Sequence, residues 1–223
     1  MKVYSIFKSI NGEVSGGTQG RICTFIRLSG CNLQSLGDGK GCSYCDTPYA
    51  FDKSTGKGMT LLQIVSKVKK QKCRYVTITG GEPLNQIDGL GNLLTILTNE
   101  GFIISVETNG SIPIPAWSTV YSWIVDWKLV SSGVQHLMNL DNFKNLLYTD
   151  FVKFIIGSKK DLKEAIVAMK QIKLVSSGPS FAFSPMAGKV LPNDLLIWMK
   201  EENLDDCILN VQLHKILKLT EDK

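Results

Sequence analysis

Seven short runs rich in β-branched and aromatic residues recur along the chain: RICTFIRLSG, RYVTITG, FIISVETNG, YSWIVDW, DFVKFIIG, SFAFSP and CILNVQLH. Helical patterns lie between several of them, namely TLLQIVSKVKK, QIDGLGNLLTILTNE, KDLKEAIVAMKQI and NDLLIWMKEE. Thr60 with Gln63 predicts a capping box on the first of these, and Pro192, Asn193 and Asp194 predict the start of the last. Strands alternating with helices predict a parallel sheet with right-handed crossovers. The fold class is α/β, either an open sheet or a complete or partial barrel.

The alternation inside each strand constrains the molecule further. Parallel strands are buried on both faces and read as continuous apolar runs unless one face lines a site. Here one face is repeatedly polar. Arg27 shares a side with Cys23 and Phe25, against Ile22, Ile26 and Leu28; Thr77 and Thr79 oppose Val76 and Ile78; Ser105 and Glu107 oppose Ile104 and Val106. The same parity sets Asp126 against Val125 and Trp127, Lys153 against Val152 and Phe154, Ser184 against Phe181 and Phe183, and Asn210, Gln212 and His214 against Leu209, Val211 and Leu213. A filled barrel would carry Val, Ile and Leu inside. Polar faces converging on one lumen instead predict a hydrophilic cavity ringed by helices, with its site at the strand C-termini. One or two of these faces are alternatively exposed sheet edges.

At 223 residues and 43% hydrophobic composition the chain is long enough for one substantial core, and it reads as a single domain over 1–223. No apolar run approaches the ~18 residues of a membrane span, and the N-terminus lacks the pattern of a signal peptide. A cytoplasmic location is expected. The net charge of +5 is dispersed, and its densest run, KVKKQK at 67–72, reads as a solvated helix end with no nucleic-acid motif beside it.

Three cysteines, Cys31, Cys42 and Cys45, gather in a polar, glycine-rich loop over 31–47. In a reducing compartment such a group points to metal or catalysis and away from disulfides. CSYC alone is a common zinc half-site, but structural zinc wants four ligands, and only Cys23, Cys73 or Cys207 remains to complete it. Thiols without chemistry are a second reading. The third is an iron–sulfur cluster held by three thiolates, which leaves one iron open to an outside ligand.

A cysteine after a strand, the C-x-aromatic-C pair around Tyr44 and a strand ending in Gly80-Gly81-Glu82-Pro83 resemble the radical S-adenosylmethionine (SAM) superfamily. Its usual C-x3-C-x2-C spacing is enlarged here, with ten residues between Cys31 and Cys42. That insert, followed by CDT, joins an IFxSxxGE segment, an R-L-x-G-C-N run and an ETNG strand end; together they resemble the 7-carboxy-7-deazaguanine synthase family. The likeness runs from IFKSINGE to VQLHK, and the loop insert, with its glycines and Asp38, reads as a turn.

The resemblance implies a partial TIM-like (β/α) barrel, a 4Fe-4S cluster on Cys31, Cys42 and Cys45, and SAM bound to the open iron. It also implies Mg2+, a flavodoxin-type or similar electron donor, and a homodimer. The implied reaction is that of a carbon–nitrogen lyase of queuosine biosynthesis. Hydrogen is abstracted from 6-carboxy-5,6,7,8-tetrahydropterin, the ring contracts, ammonia leaves and 7-carboxy-7-deazaguanine forms, with SAM regenerated.

By the same resemblance Tyr44, Cys45 and Asp46 lie beside the adenine of SAM and Gly81 beside its methionyl part. Gly80 and Gly81 suit a backbone that approaches a ligand closely, or a plain strand-to-helix turn. Glu107 ends a lumen-side strand, where it holds a ribose hydroxyl or ammonium, or else serves as a cap or salt bridge. Arg27 is one of three arginines beside 22 lysines. A mid-strand guanidinium needs an anion, either a substrate carboxylate taken bidentately or an internal partner. The N-terminal segment 4–20 is implied to bind substrate, with Ile10, Asn11 and Gly12 around the pterin and Glu13 close by. Thr79 and His214 match further substrate contacts. Thr47 matches the magnesium contact, which a hard ion keeping several waters allows.

Departures from the family pattern fall at Asn11, where Gln is usual, at Asp126-Trp127-Lys128, where SPK is usual, and at Ser184-Pro185-Met186-Ala187, where QPMD is usual. Those last two stretches are the remaining candidate SAM contacts. Two other readings stay open: a radical SAM activase of a glycyl-radical protein, which needs a docking surface and neither Arg27 nor Thr47, and a zinc-bearing interaction module without catalysis.

Overall fold

A computed structural model describes residues 1–36, 39, 41–176 and 178–219. In chain order the strands are β1 (Lys2–Ile10), β2 (Ile22–Leu28), β3 (Lys57–Gly58), β4 (Tyr75–Gly80), β5 (Ile103–Thr108), β6 (Ser122–Asp126), β7 (Phe151–Ile156), β8 (Ser180–Pro185) and β9 (Ile208–Leu209). The helices are α1 (Asn32–Leu36), α2 (Leu61–Lys70), α3 (Ile87–Asn99), α4 (Lys159–Val175), α5 (Pro192–Glu201) and α6 (Leu213–Ile216). They flank one open sheet in the order β3-β1-β2-β4-β5-β6-β7-β8-β9. From β2 to β9 every neighbouring pair is parallel, while β1 runs antiparallel to β2 and β3.

The apolar parity builds the core. Ile26, Leu28, Val76, Ile78, Ile104, Val106, Val125, Val152, Phe154, Phe181 and Phe183 pack with Ile64, Leu90, Leu94, Leu97, Ala165, Ile172 and Leu195 from the covering helices. The opposite parity faces the inside of the curved sheet. Its floor is closed by the β1–β2 connection: Val14 packs on Ile124 and Ala182, the Ser15 and Ser105 hydroxyls lie 2.7 Å apart, and Gly16 N–H donates to Ser122 Oγ at 3.1 Å. A loop with its own polar partners thus does what layers of aliphatic side chains do in a filled barrel.

Two differences from the sequence reading have local causes. The sheet carries two additional strands, β1 and the two-residue β3, which make it mixed, and the period-two pattern of β1 is interrupted by a register shift between Val3 and Ser5. The run CILNVQLH pairs only at Ile208 and Leu209, because Leu213 N–H is drawn to Gly12 O (3.2 Å) and the chain turns into α6. Between β6 and β7, where the sequence shows no helical pattern, the crossover is made of 3-10 turns at Val130–Ser132, Gln135–Leu137 and Leu140–Phe143. The turn expected around Asp38 lies outside the described residues. No described helix is long and apolar enough to cross a membrane.

The capping box forms as the sequence specifies: Thr60 Oγ1 accepts from Gln63 N–H at 3.2 Å, and Gln63 Oε1 accepts from Thr60 N–H at 2.9 Å. Thr60→Ala is expected to lower the unfolding free energy by about 1 kcal/mol. Urea denaturation measures it, and an unchanged midpoint would mean that tertiary contacts alone hold the start of α2.

Candidate functional site

The C-terminal ends of the parallel strands open into a cavity of about 660 Å3. Cys31, Cys42 and Cys45 line one part of it, in the long connection that leaves β2. Backbone bonds within the connection, and one to the β6–β7 crossover, hold it. Cys31 N–H donates to Phe51 O (2.9 Å), Gly30 N–H to Ala50 O (2.9 Å), Cys45 N–H to Cys42 O (3.1 Å) and Ser43 N–H to Ser132 O (3.0 Å). The other cysteines lie elsewhere: Cys23 faces Thr77 Oγ1 at 3.6 Å, Cys73 donates to Gln71 O and Cys207 to the Met169 sulfur. None of these completes a zinc site with the trio. Among the described residues no three His, Cys, Asp or Glu side chains converge on a point where one ion would sit, whereas tetrahedral zinc needs sulfurs at ~2.3 Å from a single centre.

Three soft donors spread along one wall fit an iron–sulfur cluster with an open corner. Burial pushes the Cys31 thiol up to about 11 and raises that of Cys42, with Lys128 opposing in both cases. Burial thus favours the protonated form of Cys31 and Cys42, and binding a metal would release their protons. The Tyr44 hydroxyl beside them is buried with no hydrogen-bond partner among the described residues, and burial pushes it up to about 12. Lys128 Nζ stands 5.7 Å from the Tyr44 ring centroid.

Gly80 and Gly81 line the cavity, yet protein backbone accounts for both. A Cβ on Gly80, whose φ is +145°, would lie 2.3 Å from Leu28 O, and one on Gly81 would lie 2.4 Å from Gly30 O. Only glycine lets the end of β4 lie this close to the connection that carries Cys31.

The opposite wall is charged. Arg27 is buried between the rings of Phe7 and Tyr49, at 5.9 and 6.0 Å from their centroids, and β-pairing sets it beside Thr79. Thr79 Oγ1 donates to Glu107 Oε2 at 2.9 Å. Burial pushes the Glu107 carboxyl up to about 7, against the pull of Lys153. Asp126 lies between two ammonium groups, Lys128 Nζ at 2.5 Å and Lys153 Nζ at 3.3 Å, and Lys153 reaches Glu13 at 3.2 Å. Burial opposes ionisation of Asp126 and Glu13, but these lysines, with Gln212 and Asn210 donating to Glu13, hold both carboxyls below their ordinary range.

Ile10, Gly12, Glu13, Arg27, Tyr44, Asp46, Thr47, Thr79, Glu107, Asp126, Lys128, Pro185, Met186, Ala187 and His214 meet at this cavity together with the cysteines and glycines. Thr47 Oγ1 lies 3.6 Å from the Cys45 sulfur. Gly12 is packed so closely on His214 that a Cβ would come within 2.6 Å of Nδ1. Asp46 pairs with Lys215 of α6 at 3.0 Å.

Three expected contacts turn elsewhere. Asn11 is buried in the β1–β2 connection, donating to Thr18 Oγ1 and accepting from Glu13 N–H. Trp127 packs on Phe143 with ring centroids 5.1 Å apart, since its parity is that of the core. Ser184 is fully buried and accepts from Asn210 Nδ2 at 2.8 Å.

Sequence reasoning placed Lys153 on the lumen side without giving it a role, although a lysine mid-strand at that parity was itself a signal. It also missed Glu82, whose carboxylate accepts from Leu84 N–H, Asn109 N–H and Thr108 Oγ1 and so ties the GGEP and ETNG strand ends together.

Comparison with known proteins agrees with this geometry. The Radical SAM superfamily profile matches residues 26–175. The chain is 37% identical over 221 residues to a 7-carboxy-7-deazaguanine synthase of Clostridium acetobutylicum, covering 97% of this chain and 95% of that one. It is 36% identical to one of Methanospirillum hungatei, covering 98% and 86%. The crystal structure of QueE from Escherichia coli shares the fold at TM-score 0.70 and 20% identity, covering 95% of this chain and 93% of that one. The three-thiol loop at the mouth of a parallel α/β sheet is thus that of a radical SAM enzyme. Within that superfamily the chain belongs to the 7-carboxy-7-deazaguanine synthase family.

Asp126→Asn leaves two buried ammonium groups without their shared anion and is expected to cost about 3 kcal/mol at pH 7. Because the folded Asp126 carboxyl titrates below its unfolded range, this stabilisation is complete above about pH 4 to 5 and fades as pH falls through the folded value. Urea unfolding of both proteins at pH 7 and pH 3 checks it; a gap equally wide at both would contradict the ion-pair account.

Proposed function

We propose that the protein converts 6-carboxy-5,6,7,8-tetrahydropterin to 7-carboxy-7-deazaguanine with release of ammonia. The observation that carries this reading is the meeting, in one cavity, of a thiol trio lacking a fourth cysteine with a wall of Arg27, Thr79, Glu107 and Glu13. Cys31, Cys42 and Cys45 would hold a 4Fe-4S cluster which, with SAM bound to it, would supply the radical chemistry that starts the reaction.

The chain's own residues bind and orient. Arg27, held by two aromatic rings, offers a planar fork suited to the substrate carboxylate. Thr79 and Glu107 present a hydroxyl and a carboxyl whose raised affinity for protons lets it either donate or accept near neutral pH. Glu13, ionised between Lys153, Asn210 and Gln212, fixes the floor against which Ile10 and Gly12 meet the pterin. Tyr44, Cys45, Asp46, Gly81, Lys128 and the Pro185–Ala187 turn border the space assigned to SAM. Thr47, beside Cys45, is the proposed contact of a Mg2+ ion that keeps most of its waters.

The described residues share a core that runs from Val3 to Leu204, which supports a single domain. We further infer a cytoplasmic homodimer supplied with electrons by a flavodoxin-type donor. A concave cavity lined by buried charged and hydroxyl side chains suits a small substrate better than the docking face an activase of a protein partner would need.

Anaerobic reconstitution with iron and sulfide, then incubation with reductant, SAM and the carboxytetrahydropterin, tests the reaction directly. Deazapurine should form, and faster with magnesium. Loss of one charge-assisted pair costs about 1.5–3 kcal/mol, so Arg27→Ala should lower product formation about tenfold or more while slow SAM cleavage persists. Equal loss of both would refute the carboxylate role. Thr47→Ala should abolish the magnesium response, and a retained response would remove Thr47 from the metal.

A further inference from the structure

Asn109 lies directly after Thr108, at the end of β5, and is buried. Its side chain touches Cys31, with Nδ2 3.9 Å from the sulfur. Its orientation is fixed by its neighbours. Ser111 N–H, which can only donate, lies 2.9 Å from one amide atom of Asn109, so that atom is the carbonyl oxygen. Ser111 Oγ gives its proton to the same oxygen at 2.6 Å and therefore accepts from Asn32 Nδ2 at 2.7 Å. That in turn points Asn32 Oδ1 at Asn109, where it accepts one Nδ2 hydrogen at 2.9 Å. The donor polarity around this ring is self-consistent, and the second Nδ2 hydrogen remains for the sulfur. The backbone is pinned as well, since Asn109 N–H donates to the fully buried Glu82 carboxylate at 2.8 Å.

We propose that Asn109 is a positioning residue for the cluster, its locked amide donating an N–H···S hydrogen bond to Cys31 that raises the cluster's reduction potential. Adding an electron increases negative charge on the sulfurs, and a fixed N–H dipole aimed at one of them favours the reduced state. In the protein without cluster the same bond keeps the Cys31 sulfur turned toward the cavity, one residue before the Asn32 side chain that closes the ring. This inference rests on the reading of Cys31 as a cluster ligand.

The test is the midpoint potential of the reconstituted cluster, measured without SAM by a redox titration followed by electron paramagnetic resonance. Wild type is compared with Asn109→Leu, which keeps similar volume and lacks the donor, and with Ser111→Ala, which keeps the donor but loosens its orientation. The expected result is a lower potential in Asn109→Leu and a smaller shift of the same sign in Ser111→Ala, each at wild-type iron and sulfide content. If Asn109→Leu fails to assemble a cluster, the Ser111→Ala shift alone decides. Potentials equal to wild type in the assembled variants would overturn the inference while leaving the cluster reading intact. A wild-type protein that takes up no cluster would overturn both.

Discussion

A parallel sheet buried on both faces ordinarily demands apolar residues on both. Here the second face is buried against something polar, and the rest of the molecule depends on that choice. The β1–β2 connection folds into the concavity and brings its own donors and acceptors, so that Ser105, Ser122 and Asn210 find partners in Ser15, Gly16 and Val14. Because the floor is satisfied in this way, the upper half of the concave face is free to remain hydrophilic. A cavity at the strand C-termini is the consequence, and most candidate functional side chains hang from a strand or from the loop that follows it.

The thiol loop is long, and outside α1 its described residues have no regular structure, yet backbone bonds to residues beyond 31–47 hold Cys31 and Ser43. Phe51 O holds Cys31, Ser132 O holds Ser43, and the β4 glycines let Gly81 and Glu82 bond to Leu28 and Gly30. The 3-10 crossover between β6 and β7 takes part through Ser131 and Ser132, which accept from Ser43. A helix in that crossover would bond its own carbonyls internally. The irregular connection leaves two of them for the loop.

Much of this was legible because burial and parity are tightly linked. Arg27, Thr79, Glu107, Asp126 and Lys153 all fell on the cavity side from a period-two count, and the Thr60 capping box followed from two residue types at the correct spacing. What escaped did so for physical reasons. The bulge in β1 masks its alternation. The last strand yields to hydrogen bonds with Gly12 that only the tertiary fold supplies. Asn11 and Ser184 carried polar side chains on suitable segments, but each is consumed by a neighbour in the floor, Thr18 and Asn210 respectively. Trp127 was grouped with Asp126 by motif position, although its parity already assigned it to the core. The Asn109 ring could not be read at all, since it joins residues from two strand ends far apart in sequence.

Asp126, where the family pattern described for the sequence would place a serine, fits the same logic. Lys128, two residues beyond β6, and Lys153, in the adjacent β7, stand at the cavity wall, and two buried ammonium groups so placed would repel one another in a medium that screens poorly. A serine hydroxyl can accept from one of them but carries no charge to offset either. Asp126 sits between both, and Lys153 is further balanced by Glu13. The result links the β1–β2 floor, through β7 and β6, to the lysine beside Tyr44 and Cys42. The floor of the cavity and the wall beside the thiols thus belong to one connected network of ion pairs.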